Sequence, residues 1–230
     1  MIDLLGKIFL YLGSLPNTLL FNFKYFKFID AIRFPVIVSH RVWLKKLSGQ
    51  VELQGMSFGS VRMGFNDVGI FDKKHSRTIW EVSGKVQFGN NIKIGHGSKI
   101  CVAGELEVGN DFVMTAESTV IANKKITIGN HVLISWDVLI MDTDYHDIWD
   151  ENDCLLNADQ AIYIGNKVWI ACRSTILKGV CIQNGNVIGA CSTVTKSVTS
   201  MNSVIVGSPA KVVKEHITWG KHEANEKIKR

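Results

Sequence analysis

Aliphatic residues recur at every sixth position through the middle of this chain, over a stretch long enough to define repeating units. Phe88-Gly-Asn-Asn, Val108-Gly-Asn-Asp and Ile128-Gly-Asn-His open three consecutive units at 20-residue spacing. Inside them the apolar steps run Phe88, Ile94, Ile100; Val108, Met114, Val120; and Ile128, Ile134, Ile140, with two extra residues closing each unit. Further on, Ile164, Ile170, Ile176, Ile182, Ile188 and Val194 give two tighter units of 18. A strict six-residue interval would walk the apolar residues around an α-helix of 3.6 residues per turn, so the helical reading fails. Three hexapeptides per unit predict one turn of a three-sided parallel β-helix, each aliphatic side chain pointing into a narrow prism. Ser98, Ser118, Val132, Val138, Val168, Ser174 and Val180, four positions on, are small or β-branched and fill the rest of the interior.

The beat stops once, at Met141-Asp-Thr-Asp-Tyr-His146-Asp-Ile-Trp-Asp150, and resumes at Ile164. A repeat broken at a histidine flanked by acidic residues reads as a scaffold interrupted to build a site. His146 lies where the chain leaves the prism, which turns its imidazole to solvent. With an unperturbed pKa of about 6.5, a histidine there suits proton abstraction at neutral pH. Asp142 and Asp144 fall on the same side of an extended strand as His146, so either can orient the ring. The other is then free to cap a turn, a common role for aspartate.

The ends of the chain follow other patterns. Residues 1–46 hold nine of the 21 aromatics. In Thr18–Arg33 the polar residues Asn22, Lys24, Lys27, Asp30 and Arg33 share about half a turn of a helical wheel, which predicts one amphipathic helix. A shorter helix is expected over Asp3–Tyr11, with Ser14–Asn17 as the turn. Pro35 ends the helical part, Val36–Leu53 leans to β-structure, and Met56–Val86 reads as imperfect early turns of the repeat. The expected division is a helical segment over 1–46, a β-helix over 47–209 with a loop excursion at 147–161, and a helical tail over 210–230.

Composition narrows the class. At 46% hydrophobic and 20% charged residues the chain is globular. Residues 1–50 carry seven Lys and Arg against two Asp, while the rest carries nineteen of each sign, so the net charge of +5 resides in the first fifth. A basic, aromatic helix suits a membrane surface, and it equally suits a cap over the open end of a repeat domain. The N-terminus lacks a basic n-region, and Ser14, Pro16, Asn17 and Thr18 break its apolar run, arguing against a signal peptide or a spanning helix. Five cysteines without a CxxC pair point to reduced thiols in the cytoplasm. A nucleic-acid partner is not expected.

The repeats, together with Ile134-Ser-Trp-Asp-Val, Met141-Asp-Thr-Asp-Tyr-His, Ile164-Gly-Asn-Lys-Val-Trp-Ile, Val187-Ile-Gly-Ala-Cys-Ser-Thr-Val-Thr-Lys and Val206-Gly-Ser-Pro-Ala-Lys-Val-Val, resemble the hexapeptide-repeat acyltransferases. More narrowly, residues 50–219 resemble the branch of O-acetyltransferases that modify sugars and bacterial surface polysaccharides. The resemblance implies a left-handed winding, so the expected fold is all-β, a left-handed parallel β-helix with the N-terminal helical segment and a short C-terminal helix. It also implies a homotrimer with sites between subunits, and acetyl-CoA as co-substrate without a metal. His146 would deprotonate the acceptor hydroxyl for direct attack on the thioester in a ternary complex. Trp169 would lie beside the site, and the Cys172 N–H would meet the thioester oxygen, with Cys where relatives often have Ser. Ala190, Thr195 and Lys196 would line the pantetheine and adenosine end of coenzyme A, with Lys211 and Lys214 reaching its phosphates. Asp150, Glu151 and Asp153 in the excursion are available to sugar hydroxyls, or simply keep an exposed loop soluble. The cysteines and the basic aromatic N-terminus give the expected location, the cytoplasm or the inner face of its membrane.

Other readings share the scaffold. N-acyl transfer to an amino sugar or nucleotide sugar would use the same histidine and differ only in the acceptor pocket. A zinc site of the gamma-carbonic-anhydrase kind would need His96, His131 and His146, which fall on three different faces. A non-catalytic β-helix scaffold leaves the excursion without a purpose. A covalent Cys172 nucleophile has no neighbouring base in sequence.

Overall fold

A computed structural model of the chain describes residues 4–66, 68–72 and 76–220. The repeat winds into a three-sided prism of parallel strands. Its first face stacks Val36–Val38, Val61–Met63, Ile92–His96, Val113–Ala116, Leu133–Ile134, Trp169–Ile170, Val187–Ile188 and Val204–Gly207. Its second face runs from Val42–Leu47 through Leu139–Met141 and Thr175–Ile176 to Thr193–Val194, and its third from Gln50–Leu53 through Ile162–Ile164 to Cys181–Ile182. Along each face one apolar column runs in register. Met63, Ile94, Met114, Ile134, Ile170, Ile188 and Ile205 make one column; Trp80, Ile100, Val120, Ile140, Ile176 and Val194 make another. All are buried, and each large aliphatic contributes roughly 1.5–3 kcal/mol relative to exposure, so stability accumulates turn by turn. The small interior residues expected from the sequence are buried as well.

The Gly-Asn pairs that open the units have a mechanical role. The backbone N–H groups of Asn90, Asn110, Asn130 and Asn166 donate to the side-chain oxygens of Asn110, Asn130, Asn166 and Asn184, at 2.7–2.8 Å. This ladder satisfies one corner of the prism from turn to turn. The residues that follow, Asn91, Asp111, His131 and Lys167, turn the corner with φ between 53° and 57°, a left-handed conformation that Asn and Asp tolerate best after glycine.

The N-terminal end is closed by helices. α1 (Leu4–Gly13) and α2 (Leu15–Tyr25) are separated by Ser14, and α3 (Phe28–Ala31) is a single turn. The expected continuous helix over 18–33 is therefore two elements. Phe26 and Lys27 are extended, which lets Phe26 pack against the core. α2 also begins earlier than expected, because Pro16 sits in its first turn, where a missing N–H costs nothing. α2 supplies the partner that the first strand lacks. Asn22 donates to the Val36 carbonyl at 2.6 Å and accepts the Val36 N–H at 3.2 Å; Thr18 bonds both polar groups of Val38; Asn17 donates to the Ser39 and Val42 carbonyls. Phe21 enters the prism and meets Trp80 edge-on at 5.2 Å. Among the described residues no helix is long and apolar enough to cross a membrane.

The other end corrects an expectation. Ala210–Lys214 is a strand, not the start of a helical tail, and pairs antiparallel with Val204–Gly207. The last turn of a prism exposes an unpaired strand edge, and folding the chain back covers it. Residues 221–230 of the expected tail lie outside the described residues.

Candidate functional site

The interruption of the repeat becomes a side structure at the corner between the second and third faces. The chain leaves at Met141 and re-enters at Ile162, so the excursion spans 142–161, five residues more than the sequence suggested at its start. Asp142 is fully buried, and its carboxylate accepts the backbone N–H groups of Asn123, Lys124 and Lys125 at 2.7, 2.9 and 2.7 Å. Its oxygens thus pin the base of the excursion to the turn below, which is the capping role among the two foreseen for Asp142 and Asp144.

Asp144 takes a different part. Lys178, one turn further along the prism, donates to Asp144 Oδ2 at 2.5 Å and to the Asn157 carbonyl. Asn157 holds the other side: its amide nitrogen donates to Asp144 Oδ2 at 2.9 Å and to the His146 carbonyl at 2.8 Å, and its oxygen accepts the Ile148 N–H at 2.7 Å. The Lys178 ammonium, with help from the Asn157 amide, holds the Asp144 carboxyl below the usual aspartate range. The backbone of His146 is therefore fixed by a network, while its side chain stays exposed. Among the described residues no group hydrogen-bonds the His146 imidazole, so neither Asp142 nor Asp144 orients the ring within one chain.

Beyond His146 the excursion folds on itself. Trp149 pairs with Leu155 across a short antiparallel bridge, and Asp150 Oδ1 accepts the N–H groups of Asn152 and Cys154 at 2.8 and 2.9 Å. Asp150 is thereby spent on its own turn, whereas Glu151 and Asp153 are exposed. A cleft of about 210 Å³ opens at the base, lined by Thr143, Asp144, Tyr145, His146, Asn157 and Asp159 among others. A second of about 180 Å³, lined by Lys46, Glu81 and Cys101, adjoins it through Asn123 and Tyr145. An exposed imidazole in an open cleft can take a proton from an incoming hydroxyl.

The remaining candidates lie elsewhere on the prism. Trp169 faces outward from the first face, donates to Ser135 Oγ at 3.0 Å and packs on Trp219 with ring centres 6.1 Å apart. Cys172 and Ala190 occupy the corner between the first and second faces on successive turns, linked by the Cys191 N–H on the Cys172 carbonyl at 3.0 Å. Thr195 and Lys196 are exposed at the corner that carries the excursion, and Lys211 and Lys214 project from the terminal antiparallel strand. A single chain thus places His146 at one corner and Cys172 with Ala190 at another. The three histidines are not joined either. His96 is buried in the first face, His131 turns an exposed corner beside Asp111, and His146 is in the excursion. Among the described residues no three His, Cys, Asp or Glu side chains cluster as metal ligands would.

Lys178 and Asn157 escaped the sequence reading. Ile140 pairs with Ile176, so a 36-residue offset places Lys178 directly over Asp142, and the repeat register carried that signal. Asn157 lies inside the excursion, where no repeat indicates partners.

No protein-family model matches the chain. A polysialic acid O-acetyltransferase of Neisseria meningitidis is 47% identical over 106 residues, which are 46% of this chain and 49% of that protein. The match therefore spans about half the length of the curated relative. Among solved structures, a polysialic acid O-acetyltransferase is similar with a TM-score of 0.47 and 26% identity, covering 79% of this chain and 87% of the other. A galactoside acetyltransferase in complex with coenzyme A is similar with a TM-score of 0.41 and 22% identity, covering 88% and 80%.

Proposed function

We propose that this hexapeptide-repeat protein is an acetyl-CoA-dependent O-acetyltransferase acting on a sugar hydroxyl of a bacterial surface polysaccharide or its lipid-linked precursor. The observation that carries the reading is the break in the repeat at 142–161, where a network of Asp144, Asn157 and Lys178 holds His146 at an open cleft. The match to a polysialic acid O-acetyltransferase supports a polysaccharide as acceptor over a nucleotide sugar.

In this reading His146 takes the proton of the acceptor hydroxyl as its oxygen attacks the thioester carbonyl of acetyl-CoA. The tetrahedral oxyanion is met by the Cys172 N–H. Its collapse breaks the carbon–sulfur bond, and the imidazolium returns its proton to the departing thiolate of coenzyme A. Because His146 and Cys172 occupy different corners of one prism, a complete site needs two copies. A homotrimer sets the His146 corner of each chain against the Cys172 and Ala190 corner of its neighbour, with Trp169, Thr195, Lys196, Lys211 and Lys214 along the donor. No resident metal takes part. The N-terminal helices keep the enzyme on the inner face of the cytoplasmic membrane.

Calorimetric titration with acetyl-CoA, with free coenzyme A as comparison, tests the donor assignment. Saturable binding near one per chain is expected. No binding at about 1 mM, the upper end of ordinary substrate affinities, would remove the acetyltransferase reading.

A further inference from the structure

The N-terminal helices bury a polar stripe and leave several large apolar side chains in solvent. Ser14, Thr18 and Asn22, four residues apart on α1–α2, are the polar stripe, and they are buried against the first strand. The strand edge needs hydrogen-bond partners, so the polar side must face inward. Phe21 enters the prism beside this stripe, and other apolar residues of the helices are left outside. Leu12, Leu15, Leu19, Leu20 and Phe23 are exposed, and α3 adds Phe28 at 70% and Ile29 at 66% exposure. A contiguous exposed apolar face of this kind marks an interaction surface.

Charge selects the partner. Lys24, Lys27 and Arg33 are exposed among these apolar residues, and the one acid between them, Asp30, is paired with Arg33 at 3.8 Å. A second copy docking through the same face would bring like charges together, which is unfavourable. An anionic bilayer meets both features, since apolar side chains enter the headgroup boundary while Lys and Arg hold the acidic lipids. Among the described residues no helix is long and apolar enough to cross a membrane.

The geometry also sets a height. α2 lies across the open end of the prism, and the excursion leaves from the fifth strand of the second face. Four steps between strands amount to about 19 Å, and the layer of helices adds about 10 Å. We propose that the apolar, basic face of α1–α3 rests on an anionic lipid surface with the prism standing away from it. The cleft at His146 is then held about 30 Å from the headgroups and serves glycan units several sugars removed from a lipid anchor, not the anchored sugar itself. The acceptor part rests on the proposed O-acetyltransferase activity; the membrane part does not.

The test has two arms. In the first, the full chain is sedimented with vesicles of phosphatidylcholine mixed with phosphatidylglycerol, with pure phosphatidylcholine vesicles as control. Wild type is expected to bind the anionic vesicles, and Leu20→Ser/Phe23→Ser/Phe28→Ser to lose at least about tenfold in affinity. Lys24→Gln and Lys27→Gln should each cost about fivefold on anionic vesicles only. Equal sedimentation of the triple variant and wild type overturns the membrane face. So does concentration-dependent self-association abolished by the triple variant without vesicle binding, which assigns the face to another copy. In the second arm, vesicle-anchored acceptors of one sugar and of many sugars are compared with the same glycans free in solution. Acetylation restricted to the long anchored glycan, with both free glycans modified alike by wild type and triple variant, is the expected result. Equal acetylation of the anchored single sugar overturns the standing orientation. Absence of transfer to any glycan, with sedimentation intact, refutes the activity and leaves the membrane face in place.

Discussion

Lys178 Nζ lies 2.5 Å from Asp144 Oδ2, and this ion pair joins the first exposed residues of the excursion to the next turn of the prism. The lysine is mostly buried and the aspartate half exposed, so the pair sits at the junction of a rigid core and an irregular loop. Asn157 bonds to the same carboxylate and to the His146 carbonyl. The position of the histidine backbone is thereby referred to the β-helix through two side chains.

Replacing the lysine should separate positioning from stability. Lys178→Met is expected to lower acetyl transfer by about 10–100-fold, because small misplacements of a catalytic group are costly. Its effect on unfolding should stay within about 1 kcal/mol, as for other partly exposed ion pairs. Steady-state kinetics beside a denaturant titration would check both; an unchanged turnover would deny the network its role.

His146→Ala should reduce turnover by about 10²–10⁴-fold, the usual worth of a positioned general base. The side chain is exposed, so the melting transition should shift by no more than about 0.5 kcal/mol of stability. Near-normal turnover in this variant would show that another group takes the proton.

The two aspartates should respond in opposite ways. Asp142→Ala strips three backbone N–H groups of a charged acceptor inside the fold and should cost about 1.5–3 kcal/mol or more. Asp144→Ala should leave unfolding nearly unchanged and impair transfer instead. Urea unfolding of the pair of variants reads this directly, and the reverse order would overturn the capping role.

Acid should open the excursion late. Because Lys178 depresses the folded-state pKa of Asp144, its contribution is fully present above the ordinary aspartate value and is lost as pH falls through the lower, folded value. Amide exchange at Ile148 and Leu156, whose N–H groups bond within the excursion, should stay slow through the mildly acid range and rise only below it. In Lys178→Met the rise should come at higher pH, and coincident profiles would exclude the ion pair as the cause.

A site shared between copies can be tested by complementation. His146→Ala lacks the base, and Ala190→Trp obstructs the donor corner, so each alone should be inactive. Refolded together, random trimers would rebuild about a quarter of the sites from one intact corner of each kind. Transfer confined to each chain's own corners would give none.

What could be read from residues alone was whatever the six-residue step controls. The step dictated parallel strands, the apolar columns from Met63 to Ile205 and the small residues at the corners, because in a prism each turn contacts only its neighbours and local pattern becomes tertiary contact. It also pointed to the candidate site, since a break in such a pattern has no packing reason. Tertiary structure decided the rest wherever the repeat is silent. Asp142 and Asp144 are indistinguishable in sequence, and only the folded corner shows three N–H groups converging on one and an ammonium on the other. Thr18–Arg33 reads as an ordinary amphipathic helix, yet the unpaired edge of the first strand claims Thr18 and Asn22, which leaves Leu19, Leu20 and Phe23 outside beside the exposed Lys24 and Lys27. The last strand makes the same demand of Ala210–Lys214, which pairs as a strand. In each case an unsatisfied backbone edge or corner, invisible to periodicity, outweighed the local preference of the chain.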